Sequence, residues 1–295
     1  MARLLGAGSR ILLATPGQNP TYSEVEAVRS WRLPMASETV EVSYFGNRGA
    51  VDVIDTYVSA SLELTADLDT SESFIVGASA LFPGDSVLFK AFLDYKGQGG
   101  STEYYGGVVQ AIERVRINAP ATDAATWELS GPVSVSNYPV VDTSGQPNRT
   151  PSTITPLLGY NVTVSWKPSG GSTYSPILGG LETSIEAEGR RLDKTGYDSG
   201  REREYLVTNF SVRITGSGHW DSDETDFYQS GQTLPSFLPQ TKGTIKVQLG
   251  STYYIEMPGV LVNFTPSADA GGEIDYSYEF QGKGLPTNWL GRTFS

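Results

Sequence analysis

The single histidine, His219, stands just before the acidic run Asp221, Asp223, Glu224 and Asp226. Two chemistries would use such a grouping, calcium binding and general-base catalysis. The Asp-x-Asp start resembles a calcium loop, but the Gly at the sixth position and the Glu at the twelfth that an EF-hand needs are missing. The run therefore reads as a solvated turn after a strand. His219 falls on the outward side of its strand, and Asp67, at the matching place earlier in the chain, shares no such chemistry. One histidine excludes multi-histidine metal sites, and the absence of cysteine excludes thiolate chemistry and a disulfide framework. Carboxylate pairs suited to glycoside hydrolysis are not singled out by spacing. The sequons at Asn148, Asn161 and Asn263 carry no weight without a secretion signal. Neither a phosphate-binding Gly loop nor a nucleophile elbow is present. The expectation is a protein that is not an enzyme and holds no cofactor or metal.

The elements that carry these residues are strands. In TYVSASLELTADLDT (56–70), Val58, Ala60, Leu62, Leu64, Ala66 and Leu68 share one side, and Ser59, Ser61, Glu63, Thr65 and Asp67 the other. Such period-two alternation marks a strand with one buried and one wet face. TNFSVRITGSGHWDS (208–222) repeats it, with Phe210, Val212, Ile214 and Trp220 inward and Ser211, Arg213, Thr215, Ser217 and His219 outward. Between Thr56 and Thr208, Thr, Ser and Asp recur in the same in/out register. Gly259-Val260 matches Gly107-Val108, and Tyr278–Gly282 matches Trp127–Gly131. These landmarks read as a tandem duplication of one β domain. Residues 1–131 form the first domain, 132–159 a Ser/Thr/Pro-rich linker, 160–284 the second domain and 285–295 a C-terminal tail.

Further strands are expected at Ser9–Ala14, Val87–Leu93, Tyr104–Arg116, Thr126–Leu129, Asn161–Trp166 and Ile245–Leu249. A short helix is expected through Phe74–Leu81, capped by the polar turn at Asp69–Glu72 and stopped by Pro83-Gly84. Glu38–Ile54, with Gly46 and Gly49 at its tip, reads as a projecting hairpin arm. Arg190–Leu206 holds the corresponding place, again Gly-punctuated but more charged. Its Arg201, Glu202, Arg203 and Glu204 are either a solvated face or a complementary contact with a neighbouring subunit.

The formal net charge of −12 disfavours a tight grip on nucleic acid phosphates. The N-terminal apolar patches are split by Gly and Arg, and no apolar run is long enough for a membrane-spanning helix. A soluble protein without a standard secretion signal is expected.

VTNFSVRITGSGHWDS, followed by YYIEMPGVLVNFTPSADAGGEIDYSYEFQGKG, resembles the tail tube (major tail) proteins of long-tailed bacteriophages. Those share a core strand ending near Trp-Asp, a Gly-Val-Leu-Val strand and an aromatic last strand closing at Gly. The first domain fits this pattern less clearly, since Gly106 replaces Pro258 and Leu68 stands at the Trp220 position. The resemblance implies a mainly β fold: two tandem tail-tube-like β-sandwich domains, each with a short flanking helix and a projecting arm. It also implies rings closed through sheet edges around a lumen, here with three chains per pseudo-hexameric ring. Such rings stack around a tape-measure protein, meet tail terminator and baseplate proteins, and conduct DNA without binding it specifically. The protein would then reside in the virion tail after assembly in the host cytoplasm.

On that reading the inter-ring arm contacts are Glu41, Tyr44, Arg48, Arg190, Arg201, Glu202, Arg203 and Glu204. The acidic lumen-facing candidates are Glu63, Glu128 and Glu279. Two alternatives stay open. One is a distal-tail, baseplate or secretion-system ring protein of the same fold, and the other a two-domain glycan-binding module.

Overall fold

Alternating Val, Leu, Ile and aromatic positions separated by Gly and polar turns produce antiparallel strands along the chain. The computed structural model describes residues 10–42, 52–94, 102–142, 156–177, 179–196, 203–220, 239–268 and 274–294. The first half contains Arg10–Ala14 (β1), Ser23–Glu24 (β2), Val28–Arg32 (β3), Met35–Val42 (β4), Asp52–Asp67 (β5), Val87–Asp94 (β6), Thr102–Val109 (β7), Arg114–Pro120 (β8) and Thr126–Asp142 (β9). The second contains Val162–Pro168 (β10), Ser175–Ile177 (β11), Gly180–Asp193 (β12), Tyr205–Trp220 (β13), Lys242–Leu249 (β14), Tyr253–Ala268 (β15), Ile274–Gly282 (β16), Asn288–Trp289 (β17) and Arg292–Thr293 (β18). The fold is mainly β, as expected.

One pairing map serves both halves. β1 lies between β2 and β6, as β10 lies between β11 and β14. β6 pairs β7 as β14 pairs β15. β3 and β4 flank β5 as β12 flanks β13, and β5 and β8 pair β9 as β13 and β15 pair β16. The ladders also set the correspondence between residues. Leu64 faces Leu129, and Ile214 faces Phe280, so Leu64 corresponds to Ile214 and Leu62 to Val212. That is two residues away from the match by residue identity, a slip that preserves which side is buried.

Each half folds two sheets onto a shared apolar interior. Leu62, Leu64, Phe89, Trp127 and Leu129 from the first half and Trp166, Val212, Ile214, Ile245 and Phe280 from the second are all buried there. β9 and β15 turn the corner between sheets: β9 leaves β5 and β8 for β7, and β15 leaves β14 for β16. Glycines stand at both corners, because a Cβ on Gly131 would lie 2.5 Å from the Ala111 carbonyl oxygen and one on Gly259 2.2 Å from that of Gln281.

A second use of glycine lies on β13. Gly216 and Gly218 stand opposite Tyr278 and Tyr276, whose stacked rings lie over the bare backbone. A Cβ on Gly216 would meet the Tyr278 hydroxyl at 2.4 Å. Burial, with the Tyr276 phenol beside it, holds the Tyr278 phenol above its ordinary pKa. Gly216→Val should therefore expel the ring and cost about 1–3 kcal/mol by overpacking. Urea denaturation with tyrosine fluorescence would register both.

Two expected elements are corrected. The Phe74–Leu81 helix is absent; residues 71–79 form consecutive turns. Val76 N–H reaches the Glu72 carbonyl at 2.9 Å, one helical turn, but Gly77 then takes φ +91° and donates its N–H to Leu290 instead. The helix is interrupted by a tertiary contact. Residues 132–142, expected to open the linker, continue β9, with Val133 and Val135 buried. Their alternation outweighs the Ser/Pro composition. At the other end of that segment, Leu157 N–H bonds Leu68 and Gly159 N–H bonds Asp123, tying it to the first half.

Within these turns the Glu72 carboxylate accepts the Glu26 N–H at 3.0 Å. Its pKa is raised, chiefly by burial; the Glu26 N–H opposes this, and the charges of Glu26 and Asp69 add to it. A carboxyl with a raised folded pKa costs stability once ionised: stability falls as pH rises from the unfolded value through the folded one. Glu72→Gln keeps the acceptor and loses the charge. It should raise Tm at pH 7, and the advantage over wild type should vanish near pH 4.5, a comparison for thermal melts at both pH values.

Candidate assembly surfaces

The central surface is a joint that no sequence signal announced. β8 of the first half pairs β12 of the second, from Arg114 opposite Glu188 to Pro120 opposite Glu182. The joint extends through Ala121 N–H to Leu181 O (2.7 Å) and Gly189 N–H to Glu113 O (2.8 Å). One sheet thereby runs unbroken through eight strands, β3-β5-β9-β8-β12-β13-β16-β15. On its inner face a buried row crosses both halves: Ala66, Trp127, Ile117, Ile185, Ile214, Phe280 and Leu261. Such a joint buries apolar side chains and satisfies two strand edges at once.

The other face of this sheet is wet, and it carries all three acidic candidates. Glu63 is exposed, while Glu128 and Glu279 are half-buried. Each has an arginine across the ladder: Arg32 faces Glu63, Arg116 faces Glu128, and Arg213 Nε lies 3.3 Å from Glu279. Arg116 is also opposite Glu186, whose carboxylate lies 3.9 Å from Arg114. The face alternates in charge and is not uniformly acidic.

Both arm hairpins form at their bases. β4 pairs β5 out to Val42 opposite Asp52, with Glu41 opposite Val53; Tyr44 and Arg48 lie outside the described residues. β12 pairs β13 from Gly218 to Tyr205, with Arg190 opposite Thr208; Arg201 and Glu202 lie outside the described residues. Arg203 pairs Asp193 within the arm, and Glu204 N–H donates to Thr195 Oγ1 at 3.0 Å. Thr195 and then Arg203 hold the Asp193 carboxyl below its ordinary pKa. Gln110 of the first half clamps this base, donating to the Arg203 carbonyl and accepting the Tyr205 N–H, both at 2.8 Å. A cleft of about 530 Å³ separates the two arm bases, lined by Met35, Ala60, Arg191 and Tyr205 among others.

The segment expected as a tail is a clasp. Trp289 is fully buried and donates Nε1–H to the Leu81 carbonyl at 3.0 Å. Phe82 of the first half sits among Phe210, Trp289 and Phe294 of the second, at 5.7, 5.2 and 4.9 Å between ring centroids. Arg292 pairs Asp85 and donates to the Ala80 carbonyl at 3.1 Å.

The chemical candidates are not assembled into a site. His219 is exposed, with Nδ1 2.6 Å from Asp275 on the neighbouring strand. Asp221, Asp223, Glu224 and Asp226 lie outside the described residues. Among the described residues no three His, Asp or Glu side chains converge to hold a metal.

No protein-family model and no curated protein matches the chain. Among solved structures, it is similar to a chain in the tail of an empty gene transfer agent particle computed with helical refinement and C6 symmetry. That match has 18% identity and a TM-score of 0.36, covering 44% of this chain and 96% of the other. It is also similar to a chain in the virion of a native gene transfer agent particle, with 16% identity and a TM-score of 0.34, covering 46% of this chain and 98% of the other.

Proposed function

We propose that this chain is the structural subunit of a phage-like tail tube, with three copies closing each ring and rings stacking into a conduit for DNA. Its two halves are read as tandem copies of one ring-forming domain. The observation that carries the reading is the β8–β12 joint, which makes one sheet of the two halves by edge pairing. Repeating a joint of that kind between chains is a head-to-tail contact, and such contacts close into rings when the rotation permits. Three chains with two repeats each then present six repeats around the axis.

The role is mechanical and not enzymatic. The wet face of the continuous sheet lines the lumen, where Glu63, Glu128 and Glu279 limit phosphate binding and the facing arginines moderate the repulsion. The arms based on β4–β5 and β12–β13 reach the adjacent ring. A tape-measure protein fills the lumen during assembly, and terminator and baseplate proteins cap the ends. The protein belongs to the virion, and its assembly takes place in the host cytoplasm.

Electron microscopy of the purified protein at high concentration, with its mass in solution, tests this. Three-chain rings with pseudo-six-fold views, or uniform hollow tubes, are expected. Six-chain rings would keep the assembly and remove the trimer. Monomers that score in a glycan-binding screen would replace the reading with a lectin.

A further inference from the structure

The ring reading leaves open which strands meet between chains, and the internal joint answers this. β8 corresponds to the second part of β15, since each pairs the central aromatic strand of its half: Ile117 and Phe264 face Trp127 and Tyr278. β12 corresponds to β3, since Ile185 faces Ile214 and Trp31 faces the equivalent Leu64. The internal joint uses β8 from the first half and β12 from the second. Its counterparts, the end of β15 and β3, lie at the two ends of the eight-strand sheet. Among the described residues no strand continues the sheet beyond either of them.

We infer that the end of β15 (residues 263–267) pairs antiparallel with β3 (residues 28–32) of a second copy of this chain, in the register of the internal joint. Resting on the ring reading, this assigns its contact residue by residue. Ile117 opposite Ile185 becomes Phe264 opposite Trp31, and Asn118 opposite Ser184 becomes Thr265 opposite Ser30. Arg116 opposite Glu186 becomes Asn263 opposite Arg32.

The side chains agree with this register. Inside the chain the row Ala66, Trp127, Ile117, Ile185, Ile214, Phe280 is buried throughout. Its counterpart across the external joint is Gly216, Tyr278, Phe264, Trp31, Leu64, Leu129. Four of these sit in ladders already formed on either side, with Tyr278, Leu64 and Leu129 buried, and the two at the junction, Phe264 and Trp31, are the large side chains of the row left half-buried. Pairing β3 with β15 would cover both rings, and aromatic cross-strand neighbours favour such contact. Ser30, Arg32, Asn263 and Thr265, on the opposite face, are exposed, as the wet side of the joint requires. Val262, at a bulge in β15, and Met35, just after β3, add exposed apolar surface. Pro266, at the Ala119 position, brings no N–H, so the external ladder is shorter than the internal one.

The chain lacks cysteine, so an engineered pair reports without background. In the internal joint Ala121 N–H bonds Leu181 O, and counting along the ladder makes Asn118 and Ser184 a pair of the closely spaced, non-hydrogen-bonded kind. There Cα atoms lie about 4.5 Å apart, within disulfide range. The test is oxidation of the full chain carrying Ser30→Cys and Thr265→Cys, read by mass on non-reducing gels, with Arg32→Cys and Thr265→Cys as the displaced control. Covalent two- and three-chain species, reversed by reductant and weak in the control, are expected. Three-chain rings that fail to cross-link, or that cross-link equally in the control, overturn the register and leave the ring reading standing. A chain that stays monomeric by mass and gives no cross-link overturns both.

Discussion

Trp289→Ala is expected to remove at least about 3–5 kcal/mol of stability, the usual cost of deleting a large buried aromatic side chain. The ring is fully buried, packs edge-on against Phe82 at 5.2 Å and satisfies the Leu81 carbonyl, which would lose its donor. A domain of this size is stable by about 5–15 kcal/mol in total, so the loss is a large share. The site sits between the halves, with Phe82 and Asp85 on one side and Phe210, Trp289 and Arg292 on the other. The effect should therefore be qualitative as well. Wild type should unfold in urea as one transition, and the variant should show two, with new proteolytic cuts in the loop around residues 77–85. Arg292→Ala, which removes the ion pair to Asp85 and leaves the ring in place, should give a smaller shift of the same kind. A single unaltered transition in Trp289→Ala would show that the Trp289 clasp is not what couples the halves.

What the sequence made legible were patterns local to a strand. Leu62, Leu64, Val212 and Ile214 are buried as their alternation demands, and His219 faces out. The shared alternation of the two core strands was visible, although residue identities aligned them two positions away from the ladders; a slip of two changes no side chain's face, so periodicity cannot detect it. The Phe74–Leu81 helix failed because its capping and stop signals are genuine but local, whereas the Gly77 N–H is taken by Leu290 from the far end of the chain. Pro132 misled in the opposite sense: a proline among Ser and Val suggests a linker, yet at a sheet corner it is tolerated. The β8–β12 joint and the Trp289 clasp were illegible for the same reason. Each joins segments far apart in the chain, and neither Ile117 nor Ile185 carries a mark that distinguishes a half-buried edge from a joined one.

The placement of the candidate residues follows the same division. Glu63, Glu128 and Glu279 could be put on the wet side of their strands by counting, and they share one face. Of the arginines facing them, Arg116 comes from the neighbouring strand of the same hairpin, whereas Arg32 and Arg213 meet Glu63 and Glu279 through pairings between strands that are not consecutive in the chain, which alternation does not reveal. Arg203 shows the cost of that gap. Read as a free arm contact, it is instead held by Asp193 and, through its carbonyl, by Gln110.

Ile185→Asp is the sharpest test of the internal joint, and it should cost more than about 4 kcal/mol. Ile185 is 1% exposed, with Ile117 on one side and Ile214 on the other. A carboxylate there has no donor across either ladder, and an unpaired buried charge is among the few single changes with effects that large. Ile185→Val, which keeps the joint dry, should cost only about 0.5–1.5 kcal/mol and calibrates the site. Arg32→Glu probes the corresponding external position. Arg32 is exposed on the wet face, and its loss removes one cross-strand pair with Glu63, worth less than about 1 kcal/mol. Its thermal melt should stay close to wild type. Ring yield should nevertheless fall, because a glutamate would be brought beside Asn263 and Glu279 of the next chain, where like charges oppose docking. Equal ring yields for Arg32→Glu and wild type would place the contact between chains elsewhere than on β3. Comparable melts for Ile185→Asp and wild type would mean that the β8–β12 joint does not hold the two halves together.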